Sequence, residues 1–434
     1  MRDLFVVLVV FGTIPLVFMR PYVGVLVYSW LSYMNPHRLG WGFATTFPFA
    51  QVSVIVTMLS LFFSKQRQSI PITPITVILF LFLVWITISS SVGLVPEARW
   101  DEWGRIMKIQ VMIFVTMMLM IDKEKINHLV WVIAFSIGFF GIKGGVFTIA
   151  TAGSYRVWGP EGTFIGGNNE MALALIMIIP LFWYLYLEHE NKWLRRALLL
   201  CVVLCVFSVL GSYSRGAFLA LAGMSFFLVL KSTKKVPIIL AACVIIPVVA
   251  SFMPSEWYER MSTIKTYEQD DSAMGRINSW RFATNLALDR PLTGGSFGVF
   301  NRELFYQYVP DVTYIVDAHS IYFEVLAEQG FVGLFLFLLL FAVGFFTAGG
   351  IIRKTKKNSE LKWANNLMRM VQISLIGYGL NGATLGLAYF DLPYHILSII
   401  VVTQIVVNKE LIKEKNNSQK ITRGRIKAMV PNAR

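Results

Sequence analysis

Charged side chains are scarce in this sequence, and their scarcity excludes most classes of soluble protein. Only 15% of its 434 residues are charged, 56% are hydrophobic, and the mean hydropathy is +0.61. Soluble domains carry about 25% charged residues. The apolar residues also form uninterrupted blocks of membrane-spanning length rather than amphipathic stripes. We therefore expect an all-α polytopic membrane protein organised as one membrane domain.

Side chains that bind metals or form disulfides are few. The three cysteines lack a paired C-x-x-C spacing, and the five histidines are not paired at metal-binding spacing. The segments predicted to face away from the cytoplasm contain no D-x-D motif. These features disfavour a disulfide framework, a zinc site and a nucleotide-sugar transferase that holds Mg²⁺ through paired carboxylates. We expect no metal and no cofactor.

A spanning helix needs about 20 apolar residues, and the apolar blocks mark where such helices lie. The predicted spans are 47–63, 74–91, 105–121, 126–150, 169–187, 196–212, 216–230, 236–253, 331–351, 365–388 and 392–408. A further apolar region, 4–34, is interrupted by Arg20-Pro21, which favours one broken or strongly tilted crossing. One crossing there gives about twelve spans in all.

Lysine and arginine gather in alternate loops between the spans, and this bias sets membrane orientation. The loops that carry them contain Lys65, Arg67, Lys123, Lys125, Lys192, Arg195, Arg196, Lys231, Lys234, Lys235, Arg353, Lys354, Lys356 and Lys357. We interpret the net charge of +14 as this topology signal and not as a nucleic-acid surface. The pattern places both termini and the basic tail, 409–434, in the cytoplasm.

The segment 254–330 falls on the opposite side and is too long for a simple connector. It holds six Lys and Arg against eleven Asp and Glu, which gives a charge of −5. We expect it to form an outward helical loop domain, with a helix over 272–288 and a glycine-rich turn over 292–298. The expected division is spans in 1–253, the loop domain in 254–330, spans in 331–408 and the tail in 409–434.

Several arginines are predicted at helix edges on the outward side, against the positive-inside bias. They are Arg38, Arg156, Arg215, Arg276 and Arg281. A guanidinium near hydrocarbon is costly unless it is paired, and its fork matches phosphate oxygens bidentately. A phosphate-bearing lipid is therefore a suitable partner. The alternative is a pair with a carboxylate inside the bundle or a side chain that snorkels to the interface.

His319 is the most informative histidine because it precedes a predicted span directly after the long outward segment. An imidazole there can accept a proton from an alcohol at neutral pH, and Asp317 or Glu324 can orient its other nitrogen. A purely structural role near a helix start remains the alternative.

An ordered set of motifs resembles the bacterial O-antigen ligase and O-antigen polymerase superfamily. The motifs are Ser214-Arg-Gly216, Arg276-x-x-x-Trp280, Asp289-x-Pro-Leu-Thr-Gly294, Gly298-x-Phe300 and His319-Ser-x-Tyr-x-x-x-Leu-x-Glu-x-Gly330-x-x-Gly333. The stretch that runs from Arg156 to Ala172 also resembles the glycine- and asparagine-containing part of that family. The stretch from Ser32 to Phe43 is similar to O-glycosylation ligases associated with exosortase systems.

The resemblance implies a GT-C-like glycosyltransferase of the bacterial inner membrane. Such an enzyme takes a glycan from undecaprenyl diphosphate at the periplasmic face and transfers it to a hydroxyl of lipid A–core or another surface acceptor. His319 takes the position of the family's essential histidine, while Arg215 and Arg276 take those of two family arginines. Arg281, Arg38 and Arg156 carry over less directly. The Gly294-Gly-Ser-Phe-Gly298 turn departs from the family's usual glycine pattern.

The expected mechanism is one inverting displacement at the anomeric carbon, with His319 as general base and arginines in place of a metal. Two other functions remain open. A polymerase would use similar residues but would join one lipid-linked glycan to another. A transporter or flippase would bind an anionic lipid-linked substrate without chemistry, although no internal repeat of the kind found in transporters is evident.

Overall fold

The computed structural model describes residues 2–64, 69–231, 253–262, 271–312 and 315–429, and within these ranges it is helical without any strand. The helices are α1 Arg2–Met19, α2 Tyr22–Met34, α3 Phe49–Phe63, α4 Pro74–Ser91, α5 Pro96–Leu119, α6 Lys123–Ala150, α7 Asn168–Glu188, α8 Lys192–Gly211, α9 Arg215–Lys231, α10 Ser255–Ser262, α11 Asp271–Asp289, α12 Arg302–Tyr308, α13 Ile321–Thr355, α14 Lys362–Gly382 and α15 Asp391–Met429. Short 3₁₀ turns occupy Pro36–Leu39 and Phe43–Thr45. The all-α prediction is confirmed.

Seven of the described helices are long and apolar enough to cross a membrane: α1, α4, α6, α7, α8, α13 and α15. The predicted spans at 74–91, 126–150, 169–187, 196–212, 331–351 and 392–408 lie on helices of this group. Those at 47–63 and 216–230 lie on the shorter apolar helices α3 and α9. The predicted span at 236–253 lies, apart from Met253, outside the described residues. A polytopic membrane fold is thus confirmed, and the total of about twelve spans stays a prediction.

Several of these helices have a polar capping residue directly before their first turn. Asp122 accepts a hydrogen bond from the Lys125 backbone N–H at 2.9 Å, and Asn191 accepts one from that of Trp193 at 2.9 Å. Such caps satisfy backbone donors that have no partner within the helix, and each contributes about 1 kcal/mol. Once begun, a helix continues because hydrocarbon offers its backbone no other hydrogen-bond partner.

The two ends of the bundle differ in character. At one end, called the basic end, Lys123 lies 3.9 Å from Glu188, and the Asn358 amide donates to Glu414 at 2.9 Å. At the other, called the loop end, the long connections pack together: the Trp257 indole donates to the Leu210 carbonyl at 3.1 Å. Helix α15 starts at the loop end and continues past the bundle, as a helix, through the basic tail to Met429.

The first apolar region folds as a helical hairpin, which corrects the sequence-based topology. The Arg2 guanidinium donates to the Leu39 carbonyl at 3.0 Å, so the two ends of region 4–34 meet at the loop end. At the turn of the hairpin, Tyr22 packs under the Lys125 ammonium at 5.4 Å, at the basic end. The region therefore forms two antiparallel helices where a single crossing was expected, and the side of the membrane that the N-terminus faces stays a prediction.

Helix α13 is broken at Gly330, and the glycine-rich turn docks into the break. Gly330 and Gly294 have φ values of 67° and 60°, in the region that favours glycine. A Cβ on Gly330 would overlap the Leu292 carbonyl. The Gly295 backbone N–H donates to the Ala327 carbonyl at 2.9 Å. This packing joins the loop domain to the first part of α13.

Helix α14 ends at Gly382, six residues before the predicted limit of 388. Residues 383–390 are apolar but not helical, and we call them the 383–390 segment. The composition of this stretch resembles that of a span, which explains the error. The Ala388 backbone N–H and carbonyl bond to Glu324 and Tyr394 of neighbouring helices, while the Thr384 and Leu385 N–H groups bond to carbonyls at the end of α14.

Candidate active site

Helix α11 fixes the backbone that leads to His319. Ser279 donates to the Val316 carbonyl at 2.8 Å, and the Trp280 indole donates to the Ala318 carbonyl at 2.9 Å. His319 has φ 43°, a left-handed conformation uncommon for a residue with a side chain. Such strain persists only where the surroundings determine it, and it concentrates at functional sites.

Arg276 precedes Trp280 by one helical turn and acts electrostatically on His319. Burial lowers the pKa of His319, the positive charge of Arg276 lowers it further, and Asp317 acts in the opposite direction. The imidazole is therefore neutral at pH 7 and able to accept a proton. Asp317 thus acts on the imidazole electrostatically, and its expected role in orienting the second ring nitrogen stays a prediction.

Glu170, in the first turn of α7, is a neighbour of this group that the sequence-based selection missed. Its carboxylate lies within electrostatic reach of both Arg276 and Asp317. The side chain is half-buried and packs against Gly167. The available signal was an acidic residue at the start of a span, directly after the Gly166-Gly-Asn-Asn stretch.

Arg215 is the first residue of α9 and adjoins the same group through two contacts of its neighbours. The Asn168 amide, two residues before Glu170, donates to the Ser212 carbonyl at 2.8 Å. On the other side, Gly216 packs directly against the Thr384 side chain. Arg215 is half-buried at the loop end. These contacts hold the residues on either side of Arg215 against the helix of Glu170 and the 383–390 segment.

The 383–390 segment covers the opposite side of His319. A Cβ built on Gly386 would lie 3.7 Å from the His319 backbone nitrogen and 3.3 Å from Glu324 Oε2. Glu324 accepts a hydrogen bond from the Ala388 backbone N–H at 2.9 Å. Glu324 therefore holds the segment that faces His319, and its expected role in orienting the imidazole stays a prediction.

The three remaining predicted arginines have exposed side chains. Arg156 is exposed and lies over the Tyr213 ring at 5.6 Å, two residues from Arg215. Arg38 is exposed beside Gly162, in the loop that leads to α7. Arg281 is also exposed. It follows Arg276 by five residues, so the two side chains are separated by a rotation of about 140° around the axis of α11. The structure does not bring Arg281 to the face of α11 that contacts His319.

Arg105, near the start of α5, is a cation at the loop end that the sequence-based selection missed. It lies over the Phe164 ring at 4.4 Å and 3.1 Å from Glu102. Its charge also acts on Glu324. The signal in the sequence was the set of charged residues directly before and at the start of the predicted span 105–121.

Tyr389, within the 383–390 segment, and Glu328 of α13 are both buried. Burial and the neighbouring Glu328 and Glu324 carboxylates raise the pKa of Tyr389 well above its usual value. The phenol therefore stays neutral. Among the described residues, no group of three or more His, Cys, Asp and Glu side chains is arranged to hold a metal ion.

Comparison with known protein families gives two matches. A family model described as O-antigen ligase matches residues 200–338, which include Arg215, Arg276 and His319. A second model, described as a family of unknown function, matches residues 1–190, which include Arg38, Arg105 and Glu170. A search of curated proteins finds no match. The relation to exosortase-associated ligases stays a prediction.

Proposed function

Because the chain belongs to the O-antigen ligase superfamily, we propose that it transfers a glycan from undecaprenyl diphosphate to a hydroxyl group of an acceptor at the periplasmic face. Lipid A–core or another surface molecule serves as the acceptor. The observation that carries this proposal is the placement of His319 beside Arg276 at the loop end of a membrane bundle.

The proposed reaction is a single displacement. The acceptor hydroxyl oxygen forms a bond to the anomeric carbon while the bond from that carbon to the diphosphate oxygen breaks. The leaving diphosphate keeps the electron pair of that bond, and His319 takes the hydroxyl proton and later releases it to water. The anomeric configuration inverts because one displacement occurs.

The leaving diphosphate needs no proton but gains negative charge as the bond breaks. Arg276 and Arg215 supply fixed positive charge for it, and their guanidinium forks match phosphate oxygens. Glu170 lies within electrostatic reach of Arg276 and favours its position before the donor binds. Asp317 also favours the imidazolium that forms when His319 accepts the proton.

The burial of His319 suits a general base. A half-buried neutral imidazole is partly shielded from bulk water, and a positioned base contributes about 10²- to 10⁴-fold to the rate. The left-handed backbone at His319 holds the ring at the start of α13, where an acceptor can approach from the outward side.

The test uses purified protein in detergent with a lipid-linked glycan and a panel of acceptors. Formation of a glycan–acceptor product without a gradient or sealed vesicles supports the proposal. If correctly folded protein forms no such product, transport is favoured instead. A second lipid-linked glycan as the only accepted acceptor would identify a polymerase. The same reaction in EDTA tests whether arginines suffice, since loss of activity that Mg²⁺ restores would contradict their role.

A further inference from the structure

Helix α15 begins with two polar side chains buried within the bundle. Asp391 is 1% exposed and His395, one turn later, is 0% exposed. Ionisable groups at membrane depth are costly and are retained for a function. Neither residue belongs to the group around His319 described above.

Both side chains contact neighbouring residues of α2. The Ser32 hydroxyl donates to Asp391 Oδ2, and the Tyr33 hydroxyl lies 2.5 Å from His395 Nδ1. The Thr116 hydroxyl of α5 lies 3.4 Å from His395 Nε2. Since Asp391 and His395 are four residues apart on one helix, the two contacts lie on one face of α15.

This face of α15 directly follows the 383–390 segment. Tyr394, between Asp391 and His395, donates to the Ala388 carbonyl at 2.9 Å. Phe390 packs against the Tyr33 ring with centroids 6.4 Å apart. The start of α15 and the backbone at Ala388 are therefore fixed together, and Gly386 of the same segment faces the His319 backbone.

We propose that Ser32, Tyr33, Asp391 and His395 form a polar latch that holds the 383–390 segment against His319, with Asp391 as its main positioning residue. The latch joins α2, which lies in the region matched by the family of unknown function, to a helix start that lies outside both matched regions. One task of the N-terminal region is thus to set the geometry of the histidine. This inference rests on the proposed role of His319 as the general base.

The polar character of the latch supports this role. Apolar side chains of similar size would hold two helices together without placing a carboxylate in the bundle. Buried polar pairs that are matched to one another instead select a single arrangement of the elements they join. A small displacement of a catalytic group lowers a rate by about 100-fold. A single arrangement of the 383–390 segment against His319 is therefore important for the rate.

The test measures transfer kinetics for Asp391→Ala and Ser32→Ala in purified full-length protein. We expect kcat to fall about 10- to 100-fold in both variants while KM for the lipid-linked donor changes less than about 3-fold. Asp391→Asn keeps an acceptor for the Ser32 hydroxyl and should recover kcat to within about 3-fold of wild type. The combined Ser32→Ala, Asp391→Ala variant should be no slower than either single variant.

Asn366→Ala is the matched control, because it removes a hydrogen bond of 3.1 Å to Glu188 between helices at the basic end. It should leave kcat unchanged, and thermal unfolding in detergent reports folding for every variant. If Asp391→Ala fails to fold, Ser32→Ala and Tyr33→Phe give the answer. Wild-type kcat in these variants, or a loss shared by Asn366→Ala, would overturn the latch. Retained activity in His319→Ala would instead overturn the proposed function.

Discussion

Arg276 lies close enough to His319 for its positive charge to lower the pKa of the imidazole, and Asp317 opposes that effect. The two charged neighbours therefore shift the pH dependence of catalysis in opposite directions. His319 must be neutral to accept a proton, so kcat/KM falls as the pH drops through its pKa. Burial and Arg276 place that fall below the ordinary histidine value of about 6.5.

Removal of the Arg276 charge should shift the acidic limb of the profile of kcat/KM against pH. Arg276→Gln removes a charge that lowers the His319 pKa, so the loss of kcat/KM should begin at higher pH than in wild type. Asp317→Asn removes a charge that raises this pKa and should move the limb to lower pH. The profiles of both variants, measured with saturating acceptor, check the prediction, and equal or reversed shifts would contradict the assigned geometry.

Glu170 should affect catalysis although it lies outside the residues selected from sequence motifs. Glu170→Gln keeps the size of the side chain but removes the charge near Arg276. We expect kcat/KM to fall about 10-fold, since Arg276 loses a partner that positions it. Glu161→Gln, at an exposed position of the preceding loop, is the matched control and should change little. Equal rates for the two variants would remove Glu170 from the site.

The break in α13 should tolerate no side chain at Gly330. Gly330→Ala places a Cβ against the Leu292 carbonyl and demands a left-handed backbone, which costs about 1–3 kcal/mol in addition to the overlap. Gly350→Ala lies in the same helix with no atom within 4 Å of the added Cβ and should stabilise by about 0.5–1 kcal/mol. Thermal unfolding in detergent compares them, and a neutral Gly330→Ala would contradict the docked turn.

The hairpin of α1 and α2 predicts that the N-terminus lies on the same side of the membrane as the 36–45 connection. In a protein without its three native cysteines, we expect Arg2→Cys and Trp41→Cys to react with a membrane-impermeant thiol reagent on intact cells. Lys356→Cys, at the basic end, should react only after the cells are opened. Labelling of Lys356→Cys but not Trp41→Cys on intact cells would reverse the orientation.

Much of the fold could be predicted because apolar length is a local property. The run from Pro74 to Ser91 has the same limits in sequence and structure, and the Thr73 cap followed by Pro74 explains where it starts. The hairpin was missed because α2 has 13 residues, fewer than the length expected of a span, and because charge counts do not reveal that Arg2 meets Leu39. The end of α14 was misplaced because residues 383–388 are as apolar as a span.

The site was predictable only in part. His319 and Arg276 occur in motifs within one stretch of chain, and α11 brings them together. Glu170 comes near Arg276, and the 383–390 segment comes near His319, only through contacts between residues that are distant in the sequence. A single carboxylate and an apolar stretch carry no signal of such contacts before the chain is folded.

The most direct test of the account is a single-turnover measurement with donor already bound to purified protein. After acceptor is added, the rate of product formation reports the bond-forming step itself. We predict that His319→Ala lowers this rate about 10²- to 10⁴-fold and Arg276→Ala about 10²- to 10³-fold. Arg302→Ala, an exposed arginine of the same loop domain, should react at the wild-type rate. Wild-type rates in correctly folded His319→Ala and Arg276→Ala would contradict the account.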